Sequence, residues 1–286
     1  MNTPSKINLF LKVTGRCENS YHSINTLFMP LANPADEINI DFERATGISI
    51  ICDTPEIPCD EHNLCHKAAG KYAESCGITP NWEITIVKNI PVAAGMGGGS
   101  SDAAAVLRIL NERYNKLDKN ELAAIALRCG ADVPFFLSPR PAFAKGIGDI
   151  LKYPELDFPE IPLLLINPGF PISAAWAYKN LSPDNIGEVP AGYEQKLSDA
   201  LQKADLKKLS RLIHNDLATA CYEKFPILRI LKTELLTSGA AAAEITGSGP
   251  TLFALCESFE KRDELASSFK RNYPQMCIIK SSIKQN

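Results

Sequence analysis

Ile90-Pro91-Val92-Ala93-Ala94-Gly95-Met96-Gly97-Gly98-Gly99-Ser100-Ser101-Asp102-Ala103-Ala104-Ala105 is the stretch on which the fold turns. Residues 82–87 before it read as a strand. After it, Ala103, Leu107, Leu110 and Tyr114 recur at spacings of four, three and four, an apolar stripe that predicts a helix over about 101–115. A strand that feeds a glycine run and a helix that leaves it form a phosphate cradle. Glycine lacks Cβ, so successive backbone N–H groups can turn toward one anion and approach it closely. The helix start adds its own N–H groups and the positive end of its dipole, and Ser100 and Ser101 add hydroxyls.

Two familiar cradles do not fit. No Lys-Ser/Thr pair follows the glycines, so this is not a Walker A loop. Ser100 stands where a dinucleotide-binding loop needs its third glycine, and no βαβ opening precedes it. The remaining alternative is a surface turn that binds nothing. It fits less well, because glycine linkers rarely stand between a strand and a strongly amphipathic helix.

Working outward, Ile7, Leu9, Leu11 and Val13 alternate with Lys6, Asn8, Phe10 and Lys12, which predicts a first strand with two unlike faces. Residues 37–42 and 47–51 read as further strands. A helix is expected over 64–76, with Asn63 as its N-cap and Gly77 as its stop. Asp118 and Glu121 form a capping box for the next helix, which Gly130 ends. A Pro-, Phe- and Gly-rich loop is expected over 138–148. The Pro- and acid-rich residues 151–162 suggest a boundary between domains 1–155 and 156–286. Beyond it come a buried strand at 163–166, helices near 192–204, 206–220 and 226–238, and a strand–turn–strand around Gly247-Ser248-Gly249-Pro250. A last helix at 260–273 and a strand at 276–280 finish the chain. Helices on small, mostly antiparallel sheets make an α+β fold.

The chain has 286 residues, a hydrophobic fraction of 45% and a formal net charge of −3. That charge provides no broad basic field for nucleic acid or an anionic membrane. No apolar run approaches the roughly 18 residues that span a bilayer, and the start lacks a signal-peptide pattern, so a cytoplasmic location is expected. The nine cysteines are scattered and odd in number, against a disulfide framework. Cys59, His62, Cys65 and His66 could be drawn as zinc ligands, but all lie within one short segment, unlike structural zinc sites, and helix-entry chemistry is the better reading.

The loop Pro91-x-x-x-Gly95-Met96-Gly97-Gly98-Gly99-Ser100-Ser101 resembles the ATP-binding signature of the galactokinase, homoserine, mevalonate and phosphomevalonate (GHMP) kinase superfamily. Pro4-Ser5-Lys6-Ile7-Asn8-Leu9, Gly130-Ala131-Asp132-Val133-Pro134 and Gly247-Ser248-Gly249-Pro250-Thr251 follow in that family's order. Tyr21-His22-Ser23-Ile24-Asn25-Thr26 and Ala144-Lys145-Gly146-Ile147-Gly148 resemble the branch that phosphorylates a diphosphocytidyl-linked methylerythritol in non-mevalonate isoprenoid synthesis. The family has Gly before the Tyr-His pair, whereas this chain has Ser20, which would be strained if a positive φ is needed there.

The resemblance implies two domains with an active site in the cleft between them. It implies ATP as phosphoryl donor, with Pro91, Val92, Ala93, Ala94, Gly95, Met96, Gly97, Gly98, Gly99, Ser100 and Ser101 around the phosphates, and Asn63 and Lys88 at the adenosine. Lys88 is otherwise an ordinary strand-end lysine. Mg²⁺ should arrive with ATP, held mainly by phosphate oxygens and water, with Ser100 or Ser101 touching it and no all-protein metal site. Asp132 becomes the base for the hydroxyl proton, where spacing alone favours a helix cap. Lys6, otherwise an exposed-face lysine, becomes its partner. Tyr21 and Tyr178 would sandwich a cytosine ring, with His22 and Asn8 as hydrogen-bonding groups. The alternatives are a homoserine- or mevalonate-type kinase, and an inactive nucleotide-binding regulator. Retention of both Lys6 and Asp132 speaks against the regulator.

Overall fold

The computed structural model describes residues 1–17, 21–44 and 46–284, so Ser20 lies outside the described residues. The first half runs β1 (Asn2–Arg16), β2 (His22–Asp41), β3 (Gly47–Cys52), α1 (Leu64–Cys76), β4 (Asn81–Val87), α2 (Gly98–Tyr114), α3 (Lys119–Cys129) and α4 (Val133–Leu137). Then come β5 (Ala142–Lys145), β6 (Ile150–Lys152), β7 (Ile161–Asn167), α5 (Ala174–Lys179), α6 (Tyr193–Gln202), α7 (Leu206–Leu212), β8 (His214–Asn215) and α8 (Ala218–Lys224). The chain closes with α9 (Pro226–Thr237), β9 (Ala242–Ile245), β10 (Leu252–Leu255), α10 (Phe259–Asn272) and β11 (Cys277–Ile283). The class is α+β, as the sequence pattern predicts. No helix among the described residues is long and apolar enough to cross a membrane.

The chain forms two compact units, but not the contiguous halves 1–155 and 156–286. One comprises Met1–Ser5, Pro34–Ile90 and Gly97–Pro139, the other Lys6–Asn33, Pro91–Met96 and Arg140–Asn286. The physical reason is strand length: β1 has 15 residues and β2 has 20, enough for the two ends of each to serve different units. The Pro- and acid-rich stretch that suggested a boundary is the link from β6 to β7, inside the second unit.

In the first unit, β4 pairs in parallel with β3 and antiparallel with the end of β2, where Glu37 faces Val87 and Asp41 faces Glu83. Trp82, Ile84 and Ile86 alternate inward from β4, the period-two pattern of a strand covered on one face. Helix α1 starts where Asn63 Oδ1 accepts from Cys65 N at 2.8 Å and stops at Gly77, whose φ of +63° is the left-handed cap. Cys65, Ala69 and Tyr72 of α1 are buried, as are Ala103, Leu107 and Leu110 of α2. With Cys65 in the core, the zinc quartet does not gather. Among the described residues, the only grouping of three metal-type side chains is the exposed Asp60, Glu61 and His62.

In the second unit a four-stranded antiparallel sheet runs in the order β11-β7-β10-β9. All seven residues of β7 are buried, which is why residues 163–166 read as an unbroken apolar run. The helix expected over 206–220 is interrupted. Residues His214 and Asn215 pair in parallel with Phe10 and Leu11, and Asp216 accepts from Val13 N at 2.7 Å, so tertiary hydrogen bonds replace the helical ones. The expected loop at 138–148 contains β5, which pairs with Thr26–Phe28 of β2.

Candidate active site

The sequence-predicted residues divide between the units. Lys6, Asn8, Tyr21, His22, residues 91–96 and Tyr178 belong to the second; Asn63, Lys88, residues 97–101 and Asp132 belong to the first.

In the second unit the structure brings Lys6, Asn8 and Gly95 together. Lys6 is only 4% exposed, so it is not the exposed-face lysine that strand alternation allows. Its ammonium donates to Asn8 Oδ1 at 2.5 Å and to Gly95 O at 3.2 Å, and stands 5.2 Å from the Phe28 ring centroid. Asn8 is aimed by its own amide, which donates to Thr26 Oγ1 at 2.8 Å. Lys6 N also donates to Met96 O at 3.0 Å, tying the first half of the glycine loop to β1. Gly95 has no alternative residue: its φ is +75°, and a Cβ there would lie 2.1 Å from Thr246 O.

The second half of the loop enters α2 three residues earlier than the apolar stripe suggests, with Gly97 as an N-cap that offers no side-chain bond. The first-turn N–H groups at Gly98, Gly99 and Ser100 therefore receive no cap, the arrangement that suits an external anion. A Cβ at Gly98 would lie 3.1 Å from Ile90 Cγ2, a tight contact that the Ile90 side chain would have to relieve. Ser101 is buried and donates to Pro4 O at 2.6 Å, so its one hydroxyl proton anchors the helix.

Two other expected nucleotide contacts have structural work. Asn63 caps α1 and donates to Pro58 O at 2.7 Å. Lys88, with its side chain 5% exposed, ion-pairs with Asp36 and with Asp102, the latter at 2.7 Å. An ammonium so engaged leaves only the stem and main chain of Lys88 to meet an adenosine. Asp132 sits at the N-terminal end of α4, half-buried, and makes no side-chain cap bond there. The capping role that spacing favours is thus not the one its carboxylate performs.

At the other end of β2, His22 stacks on Tyr178 with ring centroids 5.1 Å apart and planes inclined by 22°, while Tyr21 stands 56% exposed. Burial, then the charge of Arg16, lowers the His22 pKa, so the imidazole is neutral at neutral pH. Its Nε2 is buried without a hydrogen-bond partner among the described residues. A neutral ring with an unsatisfied nitrogen beside an aromatic face has the chemistry to meet a heteroaromatic base.

Sequence reasoning missed Asp36, Asp102, Thr26 and Thr246. Asp102 offers a signal, an acid inside the small apolar run Ala103-Ala104-Ala105. Burial, and to a lesser degree Asp36, raises the Asp102 pKa to about 6, against the pull of Lys88. Thr3 Oγ1 donates to its other oxygen at 2.9 Å. A carboxyl raised above its ordinary 3.8 holds a proton in the native state that the unfolded chain has lost, so stability falls as pH rises through the window from 3.8 to about 6. Asp102→Asn lacks this titration. The stability advantage of wild type over the variant should shrink by up to about 1.4 kcal/mol per pH unit across that window. Urea denaturation of both proteins at several pH values measures it; parallel curves would refute the assignment.

Comparison with known proteins gives the following. The family described as GHMP kinases N terminal domain matches residues 63–140, and that described as GHMP kinases C terminal matches residues 197–275. The 4-diphosphocytidyl-2-C-methyl-D-erythritol kinase of Chlorobium phaeobacteroides (strain BS1) is 38% identical over 272 residues, covering 94% of this chain and 93% of that one. A crystal structure of 4-(cytidine 5'-diphospho)-2C-methyl-D-erythritol kinase is 30% identical with a TM-score of 0.83, covering 100% of this chain and 99% of that one. A homoserine kinase from Cytophaga hutchinsonii, 21% identical with a TM-score of 0.74 and covering 100% and 95%, shares the fold.

Proposed function

The chain belongs to the GHMP kinases, and from that premise we propose that it transfers the γ-phosphoryl group of ATP to the 2-hydroxyl of 4-diphosphocytidyl-2-C-methyl-D-erythritol. The reaction serves non-mevalonate isoprenoid precursor synthesis in the cytoplasm. The hydroxyl oxygen forms the new bond to phosphorus, the bond from the γ-phosphorus to the bridging oxygen breaks, and ADP leaves with the electron pair. Asp132 takes the hydroxyl proton. Catalysis of this kind rests on positioning and on neutralising charge.

The observation that carries the reading is the buried Lys6 ammonium, held against the carbonyl of loop glycine Gly95. A cation fixed in that way supplies positive charge where the phosphoryl group is transferred. The N–H groups of residues 97–100 hold the phosphates. Mg²⁺ comes with ATP and neutralises phosphate charge; it needs few protein ligands, and the half-buried Ser100 hydroxyl in the first turn of α2 has the right chemistry. His22 and Tyr178 receive the cytosine, Tyr21 closes over it from its exposed position, and Asn8 reaches the erythritol end.

The test is coupled ADP release with the diphosphocytidyl alcohol, homoserine and mevalonate as acceptors. Stacking on a base contributes about 1–3 kcal/mol, so with hydrogen bonds added the cytidine-bearing acceptor should lead by about 100-fold or more in kcat/KM. Faster turnover of homoserine or mevalonate would reassign the substrate. Silence with every acceptor would favour a regulator.

A further inference from the structure

Two residues that accept from the Lys6 ammonium, Asn8 and Gly95, both bond one hydroxyl. Thr246 is fully buried between β9 and Gly247. Its Oγ1 accepts from Asn8 N at 2.9 Å and donates to Gly95 O at 3.3 Å. Lys6 Nζ donates to the same two residues, to Asn8 Oδ1 and to Gly95 O. We propose that Thr246 is a positioning residue for phosphoryl transfer, its hydroxyl fixing the Asn8 main chain and the Gly95 carbonyl, whose residues both accept from Lys6. This rests on the kinase reading above.

The brace is separable from the loop that carries it. The Thr246 main chain is held without its hydroxyl: its N–H donates to Thr251 O at 2.9 Å, and its carbonyl accepts from Gly249 N at 2.8 Å. Asn215 Nδ2 donates on either side of it, to Ile245 O at 2.9 Å and to Gly247 O at 2.8 Å. Removing the hydroxyl should leave this loop in place while releasing the Asn8 main-chain N–H and taking one donor from the Gly95 carbonyl. Small displacements of a reacting group are costly, with about 1 Å worth about 10²-fold. The effect should therefore fall on turnover rather than on nucleotide binding.

The experiment compares wild type, Thr246→Val and Thr246→Ser, each checked for a cooperative melt, in the ADP-release assay. Thr246→Val should lower kcat by about 10- to 100-fold with the KM for ATP changed less than about threefold, and Thr246→Ser should stay within about threefold of wild type. In a Lys6→Met background Thr246→Val should cost little more, because residues that act as a unit are not additive. If Thr246→Val does not fold, Thr246→Ala, which removes the hydroxyl without adding bulk, replaces it. Unchanged turnover in Thr246→Val overturns the inference. So does an equal loss in Thr246→Ser, or the same factor lost with and without Lys6. A wild type inactive on the diphosphocytidyl alcohol would sink the kinase reading itself, whereas an active wild type with an indifferent Thr246→Val sinks only this step.

Discussion

Asp132→Ala should lose about 10²- to 10⁴-fold in turnover, the usual contribution of a positioned general base, while still binding ATP. Its two candidate roles predict different measurements. A helix cap is worth about 0.5–2 kcal/mol of stability, so removing a capping Asp132 would lower the melting temperature. The structure puts Asp132 at the start of α4 with a φ of −83° and a ψ of −13°, and its side chain makes no cap bond. The variant should therefore show no capping loss at α4 and fail in the assay. Calorimetric titration with ATP completes the test, because a base for the acceptor hydroxyl has no part in holding the donor. Near-normal turnover in a folded variant refutes the role. A large loss of stability with modest loss of turnover would return Asp132 to structure.

What the sequence revealed was whatever local physics decides. The strand–glycine–helix passage, the Asn63 and Gly77 ends of α1 and the Asp118–Glu121 capping box all depend on groups a few residues apart, and all stand in the structure. Even there, α2 begins at Gly98 rather than at Ser101, because glycines that bind no side-chain cap still adopt helical dihedrals once the helix is packed. The rest depends on distance along the chain. Alternation in β1 predicts one apolar and one polar face, yet Lys6 and Asn8 are as buried as Ile7 and Leu9. Their polar atoms are satisfied by Gly95 and by Thr246, the latter 238 residues from Asn8, and no window of local sequence contains those partners. The interleaved units escape composition for the same reason, since a long strand serving two cores carries no local break. Nothing in the local sequence separates Lys88 from an ordinary strand-end lysine, because its carboxylates come from β2 and α2.

That same triad sets the second large expectation: Lys88→Met should cost about 3–5 kcal/mol of folding stability, the penalty for leaving buried charge without its partner. Asp36 and Asp102 have side chains 0% and 4% exposed, so water cannot replace the ammonium. Their losses differ. Asp36 Oδ1 still accepts from Asn89 N at 2.6 Å and Ile90 N at 2.7 Å, which keeps its negative charge supported at the entry to the glycine loop. Asp102 keeps only the Thr3 hydroxyl, and burial already raises its pKa to about 6 with Lys88 present. Without the lysine, the cheapest response is to protonate Asp102. Lys88→Met should consequently regain stability as pH falls, and Asp102→Asn added to it should recover much of the loss at neutral pH. Urea denaturation of the single and double variants tests this. A Lys88→Met protein within about 1 kcal/mol of wild type would place the ammonium outside the folding balance. If that protein had also lost affinity for ATP, the lysine would belong to the adenosine after all. Two carboxylates around one ammonium then would be a consequence of the nucleotide site rather than the support beneath it.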